Sequence, residues 1–361
     1  MANTQGAELT ASSARPASVP ADFVVTPHGY FHPSCVIELG AGERVHPSGE
    51  IARADGSVRS VTSCAFPRFD RAGQVVTDPA KSPPRIDGWV SSEQNTGQGP
   101  VAGLWANWTV PAAPPVHAGQ QIYLFPGLQS LATGSNIFQP VLGWNQRGDG
   151  HQRWTMASWD CCLRGNDFHS QIIPVNAGDS VSGTMTAINC DARGVCADWE
   201  ITSADNSNGM SSTLHTTSNG QAMDWLFGGV LEVYAVDQCA QLPASNSIQF
   251  SGLTTVAASG GTRSFNWSPV FYDNPTPSCS FGASSSDPSD VTLSWCAVGQ
   301  RCGGVCTDTL TDRNNCGSCG HRCREEGLAY QCRNGECGCP PGTQPCCGGD
   351  FCRAGRCPIC P

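Results

Sequence analysis

The chain has 361 residues, a formal net charge of -10 at pH 7 and 14% charged residues, and Lys81 is its only lysine. So acidic a chain lacks the basic patches that nucleic acids and anionic membranes bind, and we expect neither as a partner. The 22 cysteines, an even number, are typical of disulfide-bonded proteins in oxidising compartments. They predict a secreted protein, although no signal peptide and no membrane-spanning run is visible in the chain.

The first 84 residues have two compositions. Residues 1–27 are small and polar, which predicts a disordered leader. Residues 28–84 contain short strand-like pieces between glycine and proline turns, and Cys35 and Cys64 can pair within them. This N-terminal extension is predicted to be either a small accessory layer or a pro-segment.

Residues 85–297 consist of short alternating segments separated by turn residues, among them "GLWANWTVP", "NIFQPVLGW", "QRWTMASW" and "GGVLEVYAV". No segment has a helical period, and many short strands at regular spacing predict an all-β sandwich or barrel. Cys190 and Cys196 flank a predicted turn between two strands and are expected to close that hairpin with a disulfide.

Glu232 interrupts the apolar segment "FGGVLEVYAV". Side chains of a strand alternate between two faces, which places Val230 and Tyr234 beside Glu232 and Leu231 on the opposite face. Neither face is polar, so an edge strand with one wet side does not explain the carboxylate. Burying it without a partner would be costly. The pattern therefore predicts a cleft or a partner that receives Glu232.

Gln139 is a second polar residue in an apolar strand, "NIFQPVLGW". A single buried amide commonly satisfies a neighbouring backbone group. A carboxylate and an amide together can do more, because the first can deprotonate a water and the second can donate to the oxyanion of a carbonyl under attack. Glu232 and Gln139 therefore form a candidate pair for acyl transfer to water.

The order of the pieces resembles that of the glutamic peptidases of the eqolisin type. The matching pieces of residues 86–297 are "DGW", "ANWTVP", "YLFPGLQSLATGSNIFQPVLGW", "WTMASW", "VNAGDSVSGTM" and "GGVLEVYAVDQCAQLPASNSIQF". By position, Gln139 and Glu232 match the catalytic glutamine and glutamate of that family. Gln129, in "PGLQS", is the rival glutamine.

The resemblance implies a concanavalin A-like sandwich of two antiparallel sheets whose concave face holds the catalytic pair. It also implies a pepstatin-insensitive acid endopeptidase that acts on protein or peptide substrates with no cofactor and no metal. Trp89, Trp154 and Trp159 are candidate groove walls, and each of them could instead be an ordinary core aromatic. We expect a monomer.

Residues 298–361 form a cysteine-rich tail that has almost no aliphatic residues, so cross-links must replace a hydrophobic core. Cys316, Cys319, His321 and Cys323 have a spacing that structural zinc sites use. The cysteines continue irregularly beyond them, which favours disulfides. The stretch "CTDTLTDRNNCGSCGHRC" resembles the Stig1-like modules of secreted proteins, which implies a module that binds a cell-surface or matrix ligand.

Two other functions fit a sandwich with an aromatic groove. A lectin- or adhesin-like protein that binds carbohydrates or surfaces needs no acid at all. A glycanase needs two facing carboxylates, and Glu200 and Asp224 are the acids that the sequence offers near Glu232.

Overall fold

The computed structural model describes residues 15–76, 88–132, 136–146, 150–272, 279–323, 331–339, 341–346 and 351–353. Regular structure in these ranges is almost entirely β-strand, which confirms the all-β prediction. Helical turns are short 3-10 segments such as Pro33–Cys35, Leu163–Gly165 and Cys239–Gln241. No helix in the described ranges is long and apolar enough to cross a membrane.

Six short strands precede the sandwich. They are β1 (Val24–Thr26), β2 (Gly29–Phe31), β3 (Val36–Glu38), β4 (Arg44–Val45), β5 (Ile51–Ala52) and β6 (Val58–Arg59). Strands β1 and β2 form a hairpin, whereas β3 and β4 each pair with a strand of the sandwich.

The other strands of the two sheets lie between residues 89 and 294. They are β7 (Trp89–Thr96), β8 (Val101–Thr109), β9 (Gln121–Gln129), β10 (Ile137–Trp144), β11 (Trp154–Cys161), β12 (Asp167–His169), β13 (Ile173–Pro174), β14 (Ser180–Cys190), β15 (Cys196–Asp205), β16 (Met210–Thr217), β17 (Trp225–Tyr234), β18 (Ser247–Ala257), β19 (Thr262–Arg263), β20 (Ser268–Phe271), β21 (Gly282–Asp287) and β22 (Asp290–Ser294).

These strands form two sheets that pack face to face. The nine-stranded sheet has the order β20, β7, β17, β9, β10, β11, β12, β3, with β13 beside β11. The eleven-stranded sheet has the order β21, β22, β18, β8, β14, β15, β16, β4, β5, β6, with β19 beside β18. All pairings are antiparallel except β12 with β3 and β16 with β4. The core between the sheets includes Leu104, Leu124, Phe138, Trp199 and Phe250, each fully or almost fully buried.

The two sheets differ in how they are covered. Strands β14 and β15 of the eleven-stranded sheet alternate between buried and partly exposed side chains, because one face meets solvent. In contrast, every residue of β9, β10, β11 and β17 is buried. Both faces of the nine-stranded sheet are therefore covered, which explains why the segment around Glu232 is apolar on both sides.

Residues 15–76, here called the N-terminal layer, cover that second face with one part, and with β3 to β6 they extend the edges of both sheets. Val19, Phe23, Val25, Tyr30 and Phe31 pack in one cluster with side chains of the sheet. The predicted bond between Cys35 and Cys64 is present and lies wholly within the layer. The predicted boundary at residue 27 lies inside this layer, because the apolar run around Val25 forms β1 and is buried; residues 1–14 lie outside the described ranges.

Disulfides hold the rest of the chain at its loops and at its C-terminal end. The predicted hairpin bond Cys190–Cys196 is present, as are Cys161–Cys162 and Cys239–Cys279. In the tail, the described bonds are Cys296–Cys306, Cys302–Cys319, Cys316–Cys332 and Cys323–Cys337. The cysteines of the candidate zinc motif, Cys316, Cys319 and Cys323, therefore all belong to disulfides.

The described part of the tail contains three small hairpins. Their strands are β23 (Gln300–Cys302), β24 (Val305–Thr307), β25 (Gln331–Arg333), β26 (Glu336–Gly338), β27 (Gln344–Cys346) and β28 (Phe351–Arg353). Each strand is only three residues long, and the buried cluster that the described residues form here consists of cysteines. Cross-links take the place of an apolar core in this part of the chain.

Candidate active site

The candidate site lies on the face of the nine-stranded sheet that points away from the second sheet. Paired residues of neighbouring strands share a face. The register of β10 with β11 places Gln139 beside Trp159, and that of β17 with β7 and β9 places Glu232 between Trp89 and Tyr123. We call this surface the covered face, because the N-terminal layer packs against it.

Glu232 is fully buried and is held by the tyrosine two residues further along its strand. The Tyr234 hydroxyl donates to Glu232 Oε1 at 2.6 Å. Burial, with a smaller contribution from the negative charge of Glu232, raises the pKa of Tyr234 well above its usual value. The phenol therefore keeps its proton and serves the carboxylate as a fixed donor.

The backbone at residue 88 closes over the same carboxylate. Gly88 has a φ of +90°, and a Cβ there would lie 2.5 Å from Glu232 Oε1 and 2.8 Å from the Tyr234 hydroxyl. Only glycine fits both the left-handed backbone and this close approach. Gly88 and Tyr234 thus fix the position of the Glu232 side chain in the covered form.

Gln139 is fully buried, and neither its amide nitrogen nor its amide oxygen has a hydrogen-bond partner in the part of the chain that the structure describes. Leaving a buried polar group unpaired costs about 1–3 kcal/mol. The side chain lies beside Gly127, where an added Cβ would be 3.6 Å from Gln139 Cγ and 3.2 Å from the Phe227 ring. Packing alone does not account for an amide at this place.

The register sets the separation of the two candidate residues. Glu232 pairs with Tyr123 of β9, whereas the β9–β10 pairing places Gln139 opposite Gly127, four residues further along the same strand. At the usual rise and strand spacing, their Cα atoms are roughly 16 Å apart, on one face with β9 between them. In the covered form Glu232 contacts Tyr234 and Gln139 lies beside Phe227, so the two side chains do not touch.

The three candidate tryptophans divide between the two faces. Trp159 and Trp89 lie on the covered face, where Trp89 packs edge-on against Phe227 with ring centroids 4.7 Å apart. Trp154 lies in the core between the sheets and packs against Trp144. It does not line the covered face, because it lies five positions before Trp159 on the same strand, and an odd spacing places two side chains on opposite faces.

A buried histidine–aspartate pair joins the N-terminal layer to the covered face. His28 Nδ1 lies 3.0 and 2.9 Å from the two carboxylate oxygens of Asp167, which is fully buried at the start of β12. The His28 ring lies edge-on to Trp159, with centroids 6.3 Å apart. Tyr123 adds a second link, because its hydroxyl donates to the Val25 carbonyl oxygen at 3.2 Å.

The opposite face of the same sheet also buries acids. Glu93 pairs with Gly229, and a Cβ on Gly229 would point at Phe250 and Val291 of the inter-sheet core, so Glu93 faces that core. Burial raises the pKa of Glu93 to about 7. Asp160 accepts from the Thr216 hydroxyl at 2.5 Å, and burial holds its pKa well above the usual range.

The other acids lie away from the covered face, whereas the rival glutamine lies on it at the end of β9. Glu200 is on the eleven-stranded sheet, 3.3 Å from His215, and Asp224 accepts from the Leu131 backbone amide before β17. Neither lies opposite Glu232 as a glycanase pair requires. Gln129 is buried and pairs with Ile137 of β10. It lies two residues along β9 from Gly127, the residue opposite Gln139.

Sequence reasoning missed three contributors to the site. The sequence places Tyr234 on the face of Glu232, and its contact with the carboxylate could have been predicted, because a spacing of two residues makes side chains neighbours on one face of a strand. Gly88 and the pair of His28 with Asp167 had no signal in the sequence, because they depend on which strands and layers become neighbours.

Neither a protein-family model nor any curated protein sequence matches the chain. Among solved structures, the chain is similar to scytalido-glutamic peptidase with a transition state analogue inhibitor, at 17% identity and a TM-score of 0.42, over 58% of this chain and 98% of that chain. It is also similar to SCP-B, a member of the eqolisin family of peptidases, at 15% identity and a TM-score of 0.40, over 57% and 98%. Aspergilloglutamic peptidase from Aspergillus niger follows at 16% and 0.36, over 48% and 98%. Similarity this low assigns no activity to the chain.

Proposed function

We propose that the protein is a secreted acid endopeptidase of the glutamic type whose covered face binds the substrate, and that the N-terminal layer keeps this face closed. The observation that carries the proposal is Gln139, a fully buried amide without a partner among the described residues, on the same face as the buried carboxylate of Glu232. Polar groups held at such a cost without a structural partner are expected where a ligand supplies the partner.

The chemistry follows from the two groups. Glu232, as a carboxylate, takes a proton from a water that attacks the scissile carbonyl carbon, and then gives that proton to the departing amine. The Gln139 amide donates a hydrogen bond to the oxyanion that forms from the carbonyl oxygen. Between them lies a row of apolar side chains, Val230, Phe125 and Val141, over which the peptide would lie.

The separation of the two groups fits a closed precursor. Glu232 is held towards Tyr234 and away from Gln139, and the N-terminal layer occupies the space where a peptide would bind. For both groups to act on one peptide carbonyl after the layer leaves, the two side chains must turn towards each other and the strands between them must shift, because Phe125, Val141 and Val230 lie between them. The proposal includes activity at acid pH, protein or peptide substrates and insensitivity to pepstatin. It also includes a surface-binding role for the C-terminal tail.

Lys81 offers a direct test, because it is the only lysine and lies between the N-terminal layer and β7. A lysine-specific endoprotease therefore cuts the chain once, and the disulfide of the layer does not tether it to the sandwich. We expect the cut chain, but not the uncut chain, to hydrolyse a denatured protein at acid pH with pepstatin present. A cut, folded chain that hydrolyses nothing at any pH would contradict the proposal and favour a binding protein.

A further inference from the structure

We propose that Asp167 forms a recognition pocket on the covered face for a basic side chain of the peptide substrate, and that His28 occupies this pocket in the closed form. The proposal rests on the proposed function and names the class of peptide that the face would take. It concerns a side chain well separated from Glu232, so it adds a binding residue and not a catalytic one.

The first observation is the carboxylate itself. Asp167 is fully buried, and among the described residues its side-chain hydrogen bonds are those with His28, which approaches both of its oxygens. A buried carboxylate needs a cation or several donors, because an unpaired charge in the interior is costly. His28 supplies that partner from the N-terminal layer, and no neighbour on β11 or β12 replaces it in the described structure.

The second observation is the position of the pocket. Asp167 pairs with Cys161, and the next pair on the same face joins Trp159 to His169, whose rings stack at 4.5 Å. Trp159 is in turn paired with Gln139. The Asp167 carboxylate therefore lies on the covered face. It is two strands away from Gln139, the proposed oxyanion donor, and two residues further along its strand, so one bound peptide could reach both.

The third observation is the segment that fills the pocket. Val25 accepts a hydrogen bond from Tyr123, His28 reaches Asp167, and Tyr30 packs edge-on against Tyr234 with centroids 5.6 Å apart. One short stretch of the layer thus touches the covered face from Asp167 to the neighbour of Glu232. It occupies the face as a bound peptide would, with a ring nitrogen of His28 on the buried carboxylate.

The test uses the full chain cut once after Lys81, with the released fragment of residues 1–81 labelled so that its dissociation constant can be measured at one fixed pH. If the chain is not cleaved after Lys81, a variant with the recognition sequence of a site-specific protease in place of residues 79–84 is used instead. Hydrogen bonds to a charged group predict a roughly tenfold to hundredfold weaker complex for His28→Gln and for Asp167→Asn.

His28→Arg should bind within about threefold of the parent, because a guanidinium can donate to both oxygens of a carboxylate. In chains that carry Asp167→Asn, fragments with His28→Arg and fragments with His28→Gln should bind with similar dissociation constants. Asp160→Asn is the matched control, because Asp160 is a buried aspartate of the adjacent strand whose partner, Thr216, lies in the sandwich. Equal binding of His28→Gln and parent, or no effect of Asp167→Asn, would overturn the pocket.

Cleavage then separates this inference from the proposed function. Peptides that carry one arginine, moved along an otherwise constant sequence, should be cleaved with a lower KM at one arginine position, and Asp167→Asn should remove that preference with little change in kcat. Cleavage without any preference for arginine contradicts the pocket and leaves the peptidase proposal in place. No cleavage together with the expected fragment affinities contradicts the peptidase and supports the pocket.

Discussion

The two faces of the nine-stranded sheet both bury polar side chains, but the partners of these side chains come from different places. On the face towards the second sheet, Asp160 accepts a hydrogen bond from Thr216 and Ser158 lies 3.1 Å from Ser203, so these groups find their partners within the sandwich, whereas the Glu93 carboxylate has no hydrogen-bond partner among the described residues. On the covered face, Asp167 takes its partner from the N-terminal layer and Gln139 has none in the described structure. The hydrogen-bond partners described on the first face come from the sandwich, whereas the partner of Asp167 on the second comes from the layer.

This difference separates structural polar groups from candidates for chemistry on one sheet. Polar groups that take their partner from the layer, or that lie unpaired beneath it, become available to a ligand once the layer leaves. The chain also supplies matched residues on the two faces: Glu232 and Glu93, Asp167 and Asp160, Trp159 and Trp154. Each pair shares its chemistry and burial and differs in the face.

Replacement of Gln139 should have the largest effect apart from that of Glu232. Gln139→Leu removes the oxyanion donor, and such losses lower kcat about a hundredfold to a thousandfold. The same change should raise the free energy of unfolding by about 1 kcal/mol, because an unpaired buried amide is exchanged for an apolar group. Steady-state kinetics of the cut chain and denaturant unfolding measure the two effects.

Gln129→Leu is the control for that experiment. Gln129 lies on the same face and is the rival candidate from the sequence, but it is not expected to contribute to the chemistry. If Gln129→Leu abolishes hydrolysis and Gln139→Leu leaves it within a few-fold, the assignment of the glutamine is wrong.

The opposite face should control how stability depends on pH. Glu93 has a folded pKa of about 7 against a usual value of 4.5, so its full contribution to stability is present below about pH 4.5. The contribution is lost as the pH rises through 7, and the difference amounts to about 3 kcal/mol. Glu93→Gln should therefore flatten the decrease in unfolding free energy between acid and mildly alkaline pH. An unchanged pH profile in this variant would show that Glu93 is not the titrating group.

The smallest effect concerns the tryptophans. Removing the N-terminal layer should make Trp159 accessible to a fluorescence quencher and should leave Trp154 protected, because Trp154 lies between the sheets. Trp159→Phe should reduce the gain in quenching that follows release of the layer, whereas Trp154→Phe should not. Equal reductions in both variants would mean that the layer does not cover one face selectively.

The sequence allowed the sandwich to be predicted, because strand alternation and turn residues are local. It also predicts Glu232 and Gln139 as candidate site residues, since a polar residue in an apolar strand is visible without a structure. The faces of Trp154 and Trp159 could have been separated by counting, since their spacing is odd. The offset between Glu232 and Gln139, the approach of Gly88 and the contact of His28 with Asp167 could not be predicted, because strand order, register and layer packing are non-local.

The most direct test of the central claim compares Glu232→Gln with Glu93→Gln in the chain cut after Lys81. Both residues are fully buried glutamates on neighbouring strands, and at acid pH glutamine replaces the protonated form of Glu93 closely in shape and charge. We expect Glu232→Gln to lower acid hydrolysis about a hundredfold to ten-thousandfold, the usual contribution of a general base, and Glu93→Gln to leave it within about twofold. Similar rates for the two variants, or a greater loss from Glu93→Gln, would contradict the claim that the chemistry belongs to the covered face.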